Sequence, residues 1–450
     1  MTEGFLDNPE LPAKAFGVPT EAIPDHIRSV YGLLEKAAKS AAGLYTTQKE
    51  LLNPLLDDLN SYIKEDRRAK DLYTVPDSQG RWVYMHQHPA FEDALDNARE
   101  DLRQAAKILE TTRPGDASYL YLVRRSLDKL DKEGQQEVLR SFTRQRSEMS
   151  FMLGLIEGEK RKRWWEGYLG FADEGRTSQM QEEADRYMRL GAKRSGDRFT
   201  EFAKEVMMRF EYAGLMAGRL GSRRVSAKNL RADGDDHVRI SIYSGPFYSR
   251  YKELLEIAGH YTAANLLPDY DGVVRFLSAH EFSHIEDDPG EGKAGELTQP
   301  IRESSANFSA IDFMANDFEE GNISEQELSD GIRGALAYSL ADCDYLLKSG
   351  EPLPDLMKLT RHTVYDPGSS LLLYRWLSSS GLVVENGKIV AINLDRVINE
   401  SRELYVEEGS LNFNGNLNNV YKHFNSQLPI DRPFNLYSSP SEDKIKSISA

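Results

Sequence analysis

Apolar residues recur every three or four positions along much of this chain, which is the spacing of one buried helical face. The pattern predicts amphipathic helices over residues 25–44, 48–63, 90–109, 117–130, 179–190 and 198–220. Turn-forming clusters at 112–115 and 231–234 interrupt it. Strand patterns are fewer. Residues 237–243 alternate polar and apolar side chains, as a half-buried strand does. In 382–392 two apolar runs flank Asn386 and Gly387, a pair that supplies the positive φ angles of a type I′ hairpin turn. The stretch 73–87, with Pro, Gly and aromatic residues, reads as irregular or β. Past Leu428 the chain reads as a loosely ordered tail. The expected class is α+β, predominantly α-helical, with no internal repeat or low-complexity segment.

Composition narrows the partners. Of 450 residues, 72 are acidic and 56 basic, for a formal net charge of -16. That balance opposes nucleic-acid binding, which depends on Lys and Arg neutralising phosphates. It favours a diffusible small or peptidic partner. The longest apolar stretches, such as 371–377, fall short of the ~20 residues of a membrane span. The first residues lack the basic start and apolar run of a secretory leader, so a cytoplasmic location is expected. The single Cys343 rules out an internal disulfide and fits a reducing compartment. Flanked by Asp342 and Asp344 in a helical pattern, it is expected to be an inert structural thiol.

Residues 271–285 carry the chemistry. Val273, Val274, Phe276, Leu277, Phe282 and Ile285 make this a largely buried helix. His280 and His284 are one turn apart, so their rings share a face and can ligate one ion. Neutral imidazoles suit zinc, which keeps a position open for water and lowers that water's pKa towards ~7. Glu281 is placed to take the water's proton and pass it to a leaving group. The competing reading is a pair of hydrogen-bonded structural histidines.

A catalytic zinc usually takes a third protein ligand. The acidic candidates are Glu286, Asp287, Asp288, Glu291, Glu296 and Glu303. The first three lie at the helix end, before Pro289 and Gly290, and are expected to face solvent. Glu303 fits best. It sits in a second helix over 300–314, with Thr298 as N-cap and Pro300 in the first turn. Ala306 and Ala310 follow it at helical spacing and let the two helices pack closely. Asn307 or Asp312 could hydrogen-bond the ligands from outside. The expected cofactor is one zinc ion on His280, His284 and Glu303.

Several blocks in order make the chain resemble the dipeptidyl peptidase III family of zinc metallopeptidases, in its bacterial form with a short His-Glu-x-x-His motif. Residues 152–159 and 165–172 are similar to the family's Ile-Gly-x-Ile-Glu-x-Tyr block and the Gly-x-x-x-x-Phe-Glu after it. Residues 212–218 and 226–230 resemble its Ala-Gly and Ile-Asn-x-Pro-Asn segments. The zinc helix follows, then 303–307, similar to the family's Glu-x-x-Ala-Glu/Asp. Residues 371–377 and the hairpin after Gly381 resemble the elements behind the family's catalytic histidine. The likeness spans about 116–408. It implies a two-lobed fold with a wide cleft, zinc on two helices of the helical lobe, and removal of dipeptides from peptide N-termini. It also implies that Glu157 helps hold the substrate ammonium and that Asn229 pairs with the peptide backbone.

The chain departs from that pattern in places. Glu159 stands where the family has a tyrosine, and Arg231 and Ala232 replace the proline and the second asparagine of its Asn-x-Pro-Asn segment. Counting back from Gly381 without gaps puts Asp366 at the position of the transition-state histidine; a four-residue gap puts His362 there. Either His362 or Tyr365 could stabilise a tetrahedral intermediate, and Asp366 could contact substrate. Arg361 could grip a substrate carboxylate. Elsewhere the plain readings lead. His86 and His88 belong to a loop or β edge, His260 ends a helix, and the basic run 160–163 is a solvated face. Trp164 and Trp165 are packing residues.

The expected division is a helical region over 1–115, a mixed α/β lobe over 116–268, a helical catalytic lobe with a β-hairpin over 269–428, and a tail over 429–450. The leading functional expectation is a zinc hydrolase acting on short peptides from their N-termini. The alternatives are a zinc amide or ester hydrolase, an effector that cuts one protein, and a noncatalytic binding protein on the same fold.

Overall fold

The computed structural model describes residues 25–56, 58–159, 162–195, 204–220, 225–285, 298–348 and 367–406. The fold is predominantly helical with a smaller β component. It divides into two compact units, one of residues 1–181 and 205–247, the other of 182–204 and 248–450. No helix among the described residues is long and apolar enough to cross a membrane.

The first unit opens with helix α1 (Asp25–Leu52) and the short α2 (Leu59–Glu65). The pattern predicted one helix over 48–63. Instead α1 absorbs its start, and a 3-10 turn at Asn53–Leu55 separates the two, because Pro54 has no N–H for the α-helical ladder. A hairpin of β1 (Thr74–Pro76) and β2 (Trp82–Tyr84) follows. Helices α3 (Pro89–Leu109), α4 (Pro114–Lys129) and α5 (Lys132–Arg144) come next.

They pack with a five-stranded sheet. Its strands are β3 (Met149–Glu159), β4 (Lys162–Ala172), β5 (Glu205–Gly218), β6 (Ala227–Arg231) and β7 (His237–Tyr243), in the order β3-β4-β5-β7-β6. All pairs are antiparallel except β5 with β7. The predicted helix over 198–220 is thus corrected to a strand. The reason is burial on both faces: Val206, Met207, Met208, Arg209, Phe210 and Glu211 are all buried, which erases the alternation that marks a half-buried strand. The same holds for β4, buried without a break from Trp164 to Gly170. The charges buried in β5 and β7 are paired with one another. Glu211 pairs with Arg239 and with Arg209, and Arg239 also stacks 4.1 Å from the Phe142 ring. Burial would raise the Glu211 pKa, but the two guanidinium charges hold it below the usual carboxylate range.

Helix α1 lies directly on the sheet. A side chain at Gly167 would run into the Ala38 carbonyl and the Ala41 methyl. Lys162 overturns the expectation of a solvated basic run. It is fully buried, its Nζ donating to the carbonyls of Asp71 (2.6 Å) and Thr74 (3.1 Å) and lying 4.5 Å from the Trp82 ring centre. Burial lowers its pKa to about 8. Lys160 and Arg161 lie outside the described residues. Trp164 and Trp165 are buried, as packing residues should be.

Helix α6 (Glu174–Ser195) begins in the first unit, and its residues from Glu182 onward belong to the second. The second unit continues with α7 (Ser244–Tyr261), α8 (Tyr270–Ser283), α9 (Thr298–Glu319), α10 (Glu325–Lys348) and α11 (Pro367–Ser380). The hairpin β8 (Leu382–Glu385) and β9 (Lys388–Ile392) and helix α12 (Leu394–Val406) complete it. Asn386 and Gly387 take φ values of 50° and 75° at the hairpin tip, as the sequence predicted. Cys343 is fully buried in α10. His260 lies in the last turn of α7.

Helix α8 packs between α9 and α10. Its start is capped by Asp269, whose carboxylate accepts from the Gly272 N–H at 2.6 Å. At Gly272 the backbones of α8 and α10 touch: a methyl there would meet the Asp330 carbonyl oxygen at 2.5 Å. Gly334 of α10 faces the same contact, with the Gly272 carbonyl 3.0 Å from where its own methyl would be. Gly272→Ala should therefore force the helices apart and cost about 1–3 kcal/mol, the range of core overpacking. Urea unfolding measures it; an unchanged midpoint would show that the two backbones are not locked together.

Candidate metal centre

The site is built by two helices of the second unit. His280 occupies the last turn of α8 and His284 its C-cap, so the i, i+4 spacing sets their rings on one face, 4.8 Å apart between centres. Two ion pairs tie α8 down. Arg275, in the buried middle of the helix, reaches Glu183 of α6 at 3.4 Å and Glu327 of α10 at 2.8 Å. Aromatic packing adds to this: Phe282 of α8 meets Phe313 of α9 edge-on at 5.5 Å, and Tyr187 of α6 stacks on Phe313 at 4.9 Å. Arg186 of α6 grips Asp317 of α9 through both its Nε and Nη2.

Helix α9 brings Glu303 to the histidines. Its Oε2 is 3.3 Å from His280 Nε2 and 3.6 Å from His284 Nε2. The three ligand atoms all lie within 4.8 Å of one another, and all three residues are part-buried. Ligands about 2.0–2.1 Å from one tetrahedral zinc stand about 3.3 Å apart, so two imidazole nitrogens and a carboxylate in this arrangement fit zinc in both chemistry and spacing. Ala306 and Ala310 are fully buried. Asn307, one turn past Glu303, places Oδ1 3.0 Å from His280 Nδ1. Asp312 lies nine residues past Glu303, which at 3.6 residues per turn is the opposite side of α9.

Glu281 sits between the two histidines in sequence. Loss of water around its carboxyl pushes its pKa up to about 7; His280 opposes the shift and Glu303 adds to it. At His280 burial favours the neutral ring, but the Glu303 hydrogen bond and the charges of Glu303 and Glu281 win, and its pKa is raised.

The other expected site residues are placed as follows. Glu157 lies on β3 opposite Trp164, just past a register shift between Leu155 and Glu157. Asn229 is on β6, opposite Ile240 and part-buried. His362, Tyr365 and Asp366 lie outside the described residues, as do Arg361 and the span 286–297 with its other acidic candidates. His86 is in a 3-10 turn and His88 caps α3, its Nδ1 accepting from the Ala90 N–H at 3.1 Å. A second cluster, Asp235, Asp236 and His237, also brings ligand atoms within 4.8 Å. There Arg144 already supplies the cation, 2.6 Å from Asp235 and 3.2 Å from His237 Nδ1.

Sequence reasoning missed the Arg275 anchor. The available sign was an arginine inside an otherwise apolar helix, which requires partners; its partners, Glu183 and Glu327, are 92 and 52 residues away.

No protein-family model matches the chain, and no curated protein matches it by sequence. Solved structures do. Dipeptidyl peptidase III from Caldithrix abyssi superposes with a TM-score of 0.71 at 12% identity, over 92% of this chain and 92% of that one. The fold is similar to that of dipeptidyl peptidase III. The enzyme from Corallococcus sp. strain EGB gives a TM-score of 0.63 at 13% identity, over 90% of this chain and 89% of that one. At such identity the likeness is one of fold.

The two shifts at the site make a signed prediction. Between about pH 4.5 and 7 the folded metal-free protein keeps a proton on Glu281 that the unfolded chain releases, so stability falls as pH rises. The raised His280 pKa acts in the same direction above its ordinary value. Zinc-free protein should unfold at higher urea at pH 5.5 than at pH 8, and Glu281→Gln should flatten that slope. Equal slopes in the two proteins would show that the Glu281 carboxyl is not withdrawn from water.

Proposed function

We propose that this protein is a zinc-dependent hydrolase that cleaves short peptides near their N-termini. The observation that carries the reading is the Glu303 carboxylate lying 3.3 and 3.6 Å from the Nε2 atoms of His280 and His284. Glu281 adjoins the first of these histidines, and the fold resembles that of dipeptidyl peptidase III.

His280, His284 and Glu303 would hold zinc, which would supply Lewis acidity at this place. The chain's own groups do the rest. Glu281 accepts a proton from the attacking water and gives it to the departing amine. Withdrawal of the Glu281 carboxyl from water makes it a better proton acceptor than an exposed carboxylate. Glu157 takes the substrate's ammonium group and Asn229 its backbone. His362 or Tyr365 donates to the developing oxyanion, and Asp366 contacts substrate. Glu159 puts a negative charge where the resembled family has a tyrosine, which favours substrates other than those the family prefers.

The test is a panel of dipeptidyl-naphthylamides and a random peptide library, assayed with and without chelator. Chelator-sensitive release of dipeptides is expected. Glu281→Gln should lower kcat/KM about 10²–10⁴-fold, the usual contribution of a general base, and His284→Ala should abolish zinc retention. Chelator-sensitive cleavage away from the N-terminus would instead assign an endo-acting or amide hydrolase on the same centre. Full activity in Glu281→Gln would remove this mechanism.

A further inference from the structure

We propose that Asn307 is a positioning residue that sets how tightly the centre holds zinc, by fixing the tautomer of His280 through a neutral acceptor. The inference rests on the zinc reading above and concerns what surrounds the ligands.

Asn307 is 6% exposed, and its Oδ1 lies 3.0 Å from His280 Nδ1. An amide oxygen only accepts, so the ring hydrogen belongs on Nδ1. With Nδ1 holding its hydrogen, Nε2 is the nitrogen that can give up its proton in favour of a metal ion, on the side where Glu303 Oε2 lies 3.3 Å away. The opposite amide orientation would donate to Nδ1 and place the hydrogen on Nε2, where it would block ligation. One turn of α9 therefore supplies both a ligand, Glu303, and the group that readies another ligand, His280.

The partner's chemistry matters as much as its place. The resembled family pattern has Glu or Asp one turn past the ligand glutamate, whereas this chain has Asn307. A carboxylate there pulls on the Nδ1 hydrogen and makes Nε2 a stronger donor; an amide oxygen does so far less. Glu303 is then the sole anion of the three-ligand set. The ion should be held less firmly and, for the same reason, be more electrophilic.

Metal-free full-length protein titrated with zinc against a chromophoric chelator gives the affinity. Asn307→Asp should tighten zinc binding about 10-fold or more, and Asn307→Ala should weaken it about 10–100-fold, the range for partners of metal-bound histidines. Thermal unfolding of the metal-free variants is measured alongside. A merely structural asparagine would loosen binding in both variants in step with lost stability; it would not move the two affinities in opposite directions. A shift of the same sign in both variants, or less than threefold in either, overturns the proposal while leaving the zinc reading intact. Wild-type protein that binds zinc no more tightly than His284→Ala overturns the zinc reading, and this proposal with it.

Discussion

The centre depends on holding two helices at one separation. A zinc ligand set tolerates errors of a few tenths of an ångström, and here two candidate ligands come from α8 and one from α9. One separation therefore has to be held across two helices. What enforces it is packing: the backbone contact at Gly272 and Gly334 sets α8 against α10, and Phe282 on Phe313 sets α8 against α9. Ion pairs add the register. Arg275 joins α8 to α6 and α10, and Arg186 joins α6 to α9. Apart from the exposed Glu327, these groups are largely withdrawn from water, so losing one partner leaves an uncompensated charge, a cost that holds each helix to one position.

The first unit solves a different problem. Its sheet has stretches buried on both faces, residues 206–211 and 238–243, yet these contain Glu211, Arg209 and Arg239. They are tolerated because the Glu211 carboxylate is paired with both guanidiniums, which are further satisfied by backbone carbonyls and Ser150. Lys162 is handled similarly, with two carbonyls and the Thr74 hydroxyl around its ammonium. Each case places a charge where composition alone would put it at the surface. Each works only because residues far away in sequence converge on it.

The same contrast runs through the candidate metal centre. Glu281, His280 and Glu303 share one small volume, so every charge there is felt by the others. Glu303 favours a protonated His280 and a protonated Glu281 alike. A divalent cation among them relieves this crowding of carboxylates, which is the electrostatic reason such a cluster suits a metal.

What the sequence determined by itself is local. The i, i+4 histidines, the glutamate between them, the helix that carries Glu303 and the Asn386–Gly387 turn all follow from backbone geometry within a few residues, and a periodic pattern reports that geometry directly. Tertiary structure decided the rest. It made 205–218 a central strand, because burial on two faces leaves no period to read. It buried Lys162 through partners some 90 residues away, and it gave Arg275 its anchors. Above all, it brought Glu303 to within 3.3 Å of His280. The sequence could name that glutamate as the best of six acids. Only the packing of α8 against its neighbours could deliver the distance, since that separation is a property of side chains meeting across helices.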